Sequence, residues 1–355
     1  MPLTSAGVKA QAARLGCDLC GVATAAALPE LQYLNEWLAR GYAGEMLYMH
    51  RSADTRTSIN RFLPTARSVI VTATLYHGGD AAPEQCAPDA VEVARYARGR
   101  DYHVVLAERL EALVTWMRTQ ADTPFDAAIF VDKHHVQERS WAAAAGLGWI
   151  GKNGCVIHPD LGSWFLLAGV AVSLDLAPDR PQLDQCGSCT LCLDSCPTGA
   201  LVEPKVIDAT RCLAYHTIEL GGAIPEPYRA AVDHHWFGCD ICQEVCPWNL
   251  APPLSTDAAW TSEGRQGARA SALWLKPDHE LHRVVDGSAM ERTGLSRLRR
   301  TLALIIGNSG DPSLAEVLTR PGQGIRNAAP SADTAVVRDA VAWAQERLRG
   351  RDERE

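Results

Sequence analysis

The chain has 355 residues, 47% hydrophobic and 21% charged, with 12 cysteines and a formal net charge of −8. This composition excludes a wholly disordered chain, and the length is roughly two domains' worth. The acidic balance excludes a protein that binds nucleic acid over its whole surface, but not one with a local basic patch.

The longest apolar run, Trp164 to Leu174, is shorter than the ~20 residues needed to span a bilayer. The first residues show neither a charged-then-apolar signal nor a twin arginine. A cytoplasmic location without membrane association is expected, where thiols stay reduced and clustered cysteines serve as metal or redox ligands.

Residues 1–180 read as an α/β (α+β) domain. Thr4 or Ser5 can cap a first helix that Gly16 ends. Ser68 to Ala73 reads as a strand, and Leu106 to Met117 has helical spacing. Ala127 to Val131 reads as a buried strand leading to Asp132, followed by an alanine-rich helix from Val136 to Ala145 that Gly146 breaks. Cys155 to Ile157 and Trp164 to Val172 read as strands joined by the turn from His158 to Gly162. Residues 181–252 form a cysteine-rich module. Residues 253–355 form a short helical tail like a fragment of a HEAT repeat, with helices at Leu298 to Ile306, Ser313 to Leu318 and Ala335 to Leu348. Arg349 to Glu355 is expected to be a frayed end.

Eight cysteines fall between Cys186 and Cys246, in the runs Cys186-x2-Cys189-x2-Cys192-x3-Cys196-Pro197 and Cys239-x2-Cys242-x3-Cys246-Pro247, with Cys212 between them. In two-cluster ferredoxins three close cysteines hold one [4Fe-4S] cluster and the fourth ligand comes from the other run. By that logic Cys186, Cys189, Cys192 and Cys246 hold one cluster, and Cys239, Cys242, Cys212 and Cys196 the other. The alternative is two structural zinc sites, which usually pair separate Cys-x2-Cys knuckles. Cys17 and Cys20 are a redox pair or, more simply, small core residues, while Cys86 and Cys155 read as incidental.

Asp132 follows an apolar strand, where sites gather in α/β sheets. An aspartate walled off from water can hold a proton for an acid step, whereas the bland role for it is capping the next helix.

The stretches RYARGRDYH (Arg95 to His103), VDKHHVQERSWAAAAGLGWIGKN (Val131 to Asn153), CLDSCPTGAL, RCLAYHTIEL and FGCDICQEVCPWN resemble the epoxyqueuosine reductase family. GEMLYM (Gly44 to Met49) and the arginines around Arg56 do so as well, and the resemblance covers nearly all of the chain. It implies a catalytic domain related to corrinoid reductases, carrying a ferredoxin-like module. It implies cobalamin and two [4Fe-4S] clusters as cofactors, and reduction of epoxyqueuosine to queuosine at the wobble position of tRNA. Asp132 would be the general acid, beside cobalamin. Arg56, Tyr96, Val156, Leu167, Val170, Asp240 and Ile241 would also meet the cofactor. Tyr102, His103 and Arg139 would meet the substrate. An external electron donor, a tRNA anticodon stem-loop and a monomeric chain are the expected partners and state.

The chain departs from the family pattern at Lys133-His134-His135, where three chargeable groups stand beside Asp132, and at Thr301, which replaces an asparagine. Arg292, Arg297, Arg299 and Arg300 form a run without acidic residues, read as the phosphate grip; a solvated helix face is the alternative. Two other functions compete: a corrinoid reductase of a small molecule, as in reductive dehalogenases, and an iron–sulfur electron carrier. The carrier would leave Asp132 without a role.

Overall fold

Apolar β-branched runs become strands and 3.6-residue spacing becomes helices, arranged in two units that interleave along the chain. The computed structural model describes residues 3–79, 87–261, 264–320 and 331–352, so Cys86 lies outside the described residues. The first unit gathers Met1–Gly78, Tyr102–Asp208 and Ile241–Ala259; the second gathers Gly79–Asp101, Ala209–Asp240 and Trp260–Glu355. The chain therefore does not compact as the three consecutive segments 1–180, 181–252 and 253–355, and the cysteine-rich segment is shared between the units. Among the described residues, no helix is long and apolar enough to cross a membrane.

In the first unit, helix α1 (Ser5–Arg14) starts where the Thr4 hydroxyl accepts the Gly7 N–H at 3.1 Å, and it is left through Gly16 at φ +84°. Strands β1 (Leu19–Thr24), β2 (Ser68–Leu75), β3 (Ala127–Phe130) and β4 (Phe165–Val172) form one sheet in the order β1-β2-β4-β3. Every pairing in it is antiparallel. The rule that places sites at the carboxyl ends of parallel strands therefore does not apply here, although Asp132 does leave the end of β3. Every residue of β2 is buried, Ser68, Thr72 and Thr74 included.

Helix α2 (Tyr102–Gln120) packs on β3 and β4. Helix α3 (Glu138–Ala144) buries Trp141 and Ala142 against Val69, Val71 and Ala73 of β2 and Ala171 of β4. Gly21 permits this: a Cβ there would lie 2.1 Å from the Ala145 carbonyl oxygen, so the end of α3 rests directly on β1. The stretches flanking the His158 to Gly162 turn do not pair with each other. Val156–Ile157 pairs with Trp149–Ile150, while β4 joins the main sheet.

In the second unit, His235–Phe237 runs parallel to Glu92–Val93. Helices α4 (Leu213–Ile218), α5 (Ala270–Leu275), α6 (Leu295–Asn308) and α7 (Ala335–Asp352) form the rest of its frame. Helix α6 buries Leu298, Leu302, Ile305 and Ile306 and crosses α7 closely at Gly307, where a Cβ would meet the Ala344 Cα at 2.7 Å. Two 3-10 turns, Pro312–Ala315 and Val317–Thr319, replace the expected helix at Ser313 to Leu318. Helix α7 continues through Arg349 to Asp352, where a frayed end was expected, and the last three residues lie outside the described residues.

Candidate active site

Beyond β3 the backbone turns sharply: Asp132 has φ +42°, a conformation that costs a non-glycine residue energy and clusters at functional sites. The loop folds back through His134, whose Nδ1 accepts the Val131 N–H at 3.0 Å while its ring packs edge-on to Phe62. His134 is thus an anchor of the loop, whereas Lys133 and His135 are exposed. From behind, the buried Arg56 donates through Nη1 to the Val136 carbonyl at 3.3 Å and through Nε to Ser52 Oγ at 2.8 Å. Gln137 Nε2 ties the same loop to the carbonyls of Leu31 and Arg56.

The first turn of α2 presents Tyr102 and His103, stacked with ring centroids 4.1 Å apart. Tyr102 Oη donates to Asp132 Oδ2 at 2.6 Å, and His103 Nε2 lies 3.1 Å from the same oxygen. The structure therefore brings the expected acid and both expected substrate residues together. It corrects one expectation: the Asp132 side chain is 49% exposed and is not walled off from water. Arg139, expected at the substrate, is exposed and donates to the Gly154 carbonyl at 2.7 Å.

A second centre lies in the same unit. Cys186, Cys189, Cys192 and Cys246 line a cavity of about 220 Å³, with Lys152 and Trp248 on its wall. Lys152 Nζ donates to the carbonyls of Gly187 and Cys189 at 2.7 and 2.8 Å, which fixes the loop carrying the first two thiols. Burial pushes the Cys192 and Cys246 thiols up, and the charges of the neighbouring cysteines push them further. Four thiolates around one cavity repel each other and call for a cationic iron core. Cys196 differs: burial alone would raise its thiol, but the Thr198 hydroxyl and the amides of Thr198, Ala200 and Leu201 outweigh that and hold it low. Cys196 and Cys242 belong to the first unit, Cys212 and Cys239 to the second.

Two family models match the chain: a 4Fe-4S double cluster binding domain over residues 185–249, and the epoxyqueuosine reductase QueG family over residues 56–133. The epoxyqueuosine reductase of Gloeobacter violaceus is 42% identical over 326 residues, covering 89% of this chain and 99% of that protein. The Xanthomonas campestris enzyme of the same name is 36% identical, covering 96% and 95%. The chain belongs to the epoxyqueuosine reductase family. Among solved structures, an epoxyqueuosine reductase with an epoxyqueuosine-modified tRNA stem loop superposes with TM-score 0.84 at 27% identity, covering 98% of this chain and 93% of that one. The Bacillus subtilis enzyme, solved with its catalytic aspartate loop swung out of the active site, has TM-score 0.82 at 25% identity and covers 98% and 93%.

Epoxyqueuosine reductases use cobalamin and two [4Fe-4S] clusters, and the residues present fit both. Val156 and Leu167 belong to one apolar cluster with Val136, whose carbonyl Arg56 holds; an apolar floor edged by a guanidinium suits a flat macrocycle with a polar rim. Val170 does not belong to that floor. It is fully buried and, three residues from Leu167 on one strand, points to the opposite face of the sheet. In the second unit Asp240 is buried and accepts the Arg95 N–H at 2.7 Å, and Tyr96 packs against Phe237. Ile241, half-buried, opens the Ile241–Glu244 turn of the first unit. Cys246→Ala is expected to lower bound iron, measured by colorimetric assay after anaerobic reconstitution, by about half, because one cluster loses its fourth ligand.

The arginine run is corrected most. Arg299 and Arg300 are fully buried: Arg299 bonds Asp278 and the Trp274 and Lys276 carbonyls, and Arg300 the carbonyls of His216, Leu220 and Gly222. They hold the second unit together and are not available to phosphates. Arg297 is turned onto the carbonyls of Ile218, Glu219 and Thr293. Arg292, 48% exposed and paired with Glu219, remains at the surface.

Sequence reasoning missed Lys152, Glu138 and the anchoring role of His134. Lys152 follows the GLGWIG turn, and a lysine in a glycine-rich stretch upstream of a cysteine run was the available signal. Glu138 opens a helix whose last four residues, Trp141 to Ala144, are all apolar. Burial pushes its carboxyl up to about 8, the charge of Asp132 adds to this, and Arg56 and Arg139 oppose it.

Proposed function

We infer that the chain reduces epoxyqueuosine to queuosine in a tRNA anticodon loop, with Asp132 as the proton donor. The observation that carries this is the strained Asp132 at the end of β3, with Tyr102 and His103 on one of its oxygens. Cobalamin, when bound, supplies reducing power to the epoxide, fed by the two clusters and an external one-electron donor.

The protein's own part is placement and protons. Tyr102, His103 and the exposed face of Asp132 present a hydrogen-bonding surface to a splayed base. Asp132 delivers a proton to the oxygen as it leaves carbon, and Arg56 and Gln137 keep the loop in place. The test is nucleoside mass analysis after anaerobically reconstituted protein meets a stem-loop carrying epoxyqueuosine. Queuosine is expected; cobalamin-loaded protein that leaves the epoxide intact would overturn the assignment in favour of a small-molecule reductase.

Only a modest phosphate grip is expected from the arginine run. Arg292→Ala should weaken stem-loop binding and lower the slope of log affinity against log salt by about one, read by fluorescence anisotropy in a salt series.

A further inference from the structure

Lys152 stands in the tip of the hairpin in which Trp149–Ile150 pairs with Val156–Ile157. The tip is closed on itself, with the Gly151 N–H donating to the Cys155 carbonyl and the Gly154 N–H to the Gly151 carbonyl. Two neighbours in it reach the two cysteine runs. Lys152 Nζ donates to the carbonyls of Gly187 and Cys189 in the first run, and Asn153 Nδ2 donates to the Cys242 carbonyl in the second at 3.1 Å. Only one of the two carries a charge.

That charge is uncompensated. The Lys152 nitrogen bonds neutral carbonyls, and among the described residues no carboxylate pairs with it. Lys205, whose backbone N–H donates to the Lys152 carbonyl, differs: its own ammonium pairs with Asp184 at 2.6 Å. Lys152 lines the same cavity as Cys186, Cys189, Cys192 and Cys246. Trp149, Ile157 and Cys246 form a buried apolar cluster there with Trp248 packed on it, the indole rings edge-on at 5.0 Å. A charge beside such a wall is screened less than one in water.

Reduction brings one electron to a [4Fe-4S] cluster that its four thiolates already make anionic, and no bond forms or breaks. A fixed cation at the cavity wall favours the reduced form, since local charge and the groups behind the ligands help set a cluster's potential. We propose that Lys152 raises the reduction potential of the cluster held by Cys186, Cys189, Cys192 and Cys246, and not that of the other cluster. The centre then accepts an electron from a weaker external donor. Lys152 acts on the cluster and not on the substrate, so the inference stands whichever molecule is finally reduced.

The test is a redox titration of the anaerobically reconstituted full chain followed by electron paramagnetic resonance, with the signal altered in Cys246→Ala marking the first cluster. Lys152→Gln keeps a hydrogen-bond donor for the loop and removes the charge. Its iron content should match wild type, while reduction of the first cluster becomes about tenfold less favourable, a midpoint lowered by about 59 mV for one electron. The second midpoint should stay, and Lys152→Arg, which keeps the charge, should titrate like wild type. An unmoved first midpoint in iron-replete Lys152→Gln overturns the proposal, as does an equal shift of both clusters or of Lys152→Arg. Gln185→Glu covers the case of a lysine variant that loses its cluster. Gln185 is exposed and lines the same cavity, so a carboxylate there leaves the Lys152 bonds in place. It is expected to lower the same midpoint, and an unmoved midpoint overturns the proposal.

Discussion

Asp132→Asn is expected to lower single-turnover conversion of the epoxyqueuosine stem-loop by about 10²–10⁴-fold, the usual contribution of a placed general acid. The substitution isolates the proton. Asparagine tolerates positive φ better than most residues, so the turn after β3 survives. Its amide oxygen can still accept from Tyr102, which donates to one carboxylate oxygen in the native site. The loop remains anchored by His134, Arg56 and Gln137, none of which bonds the Asp132 side chain in doing so. Cobalamin and iron content should match wild type, measured by absorption and iron assay. Full activity in the variant would remove Asp132 as the acid, and loss of cofactor would mean that its role is to hold the site.

Arg299→Met is expected to destabilise the second unit by about 3–5 kcal/mol, the cost of leaving one partner of a buried ion pair alone. Arg299 has no solvent exposure, donates to Asp278 at 2.8 Å and braces the carbonyls that end α5. Burial alone would push Asp278 up, but the Ser331 hydroxyl and amide and the Arg299 guanidinium together hold it below the usual carboxylate range. A depressed carboxyl contributes stability above its unfolded value, and that stability is lost as pH falls through the folded one. Wild type should therefore hold this contribution into the acidic range, whereas the variant keeps only the part that Ser331 provides. Thermal unfolding should show a midpoint lowered on the order of 10 °C. Adding Asp278→Leu should recover much of the loss, since an apolar pair of similar volume replaces a buried ion pair well.

The strands and helices legible in the chain were those with long, uniform signals. β2 is buried along its whole length and α2 repeats its apolar face over five turns, so neither depends on partners for its pattern. Strand β1 escaped notice because it begins Leu-Cys-Gly, and its glycine answers to the end of α3, distant in sequence. Strand direction was not legible either. Antiparallel pairing of β3 with β4 arises from which residues meet across the sheet, and a buried strand looks the same in both senses. At the site, the grouping of Cys186, Cys189, Cys192 and Cys246 read from their spacing matches the four cysteines that line one cavity. The arginines misled for the opposite reason. A run of four reads as a charged surface, yet Arg299 and Arg300 face inward to carbonyls and a carboxylate supplied from elsewhere in the second unit. Asp132 was found by its place after a strand, but its exposure depends on the turn at φ +42°, which no local pattern announces.

The interleaving of the two units sets an order on biosynthesis. The first unit lacks its last segment until Ile241–Ala259 has emerged from the ribosome, well after much of the second unit has been made. That segment carries Cys246, the fourth wall of the cavity formed by Cys186, Cys189 and Cys192. A nascent chain therefore exposes three of these thiols before their cage can close. The four-thiol cavity cannot be completed before Cys246 has emerged, and premature termination anywhere before it leaves a chain unable to complete it.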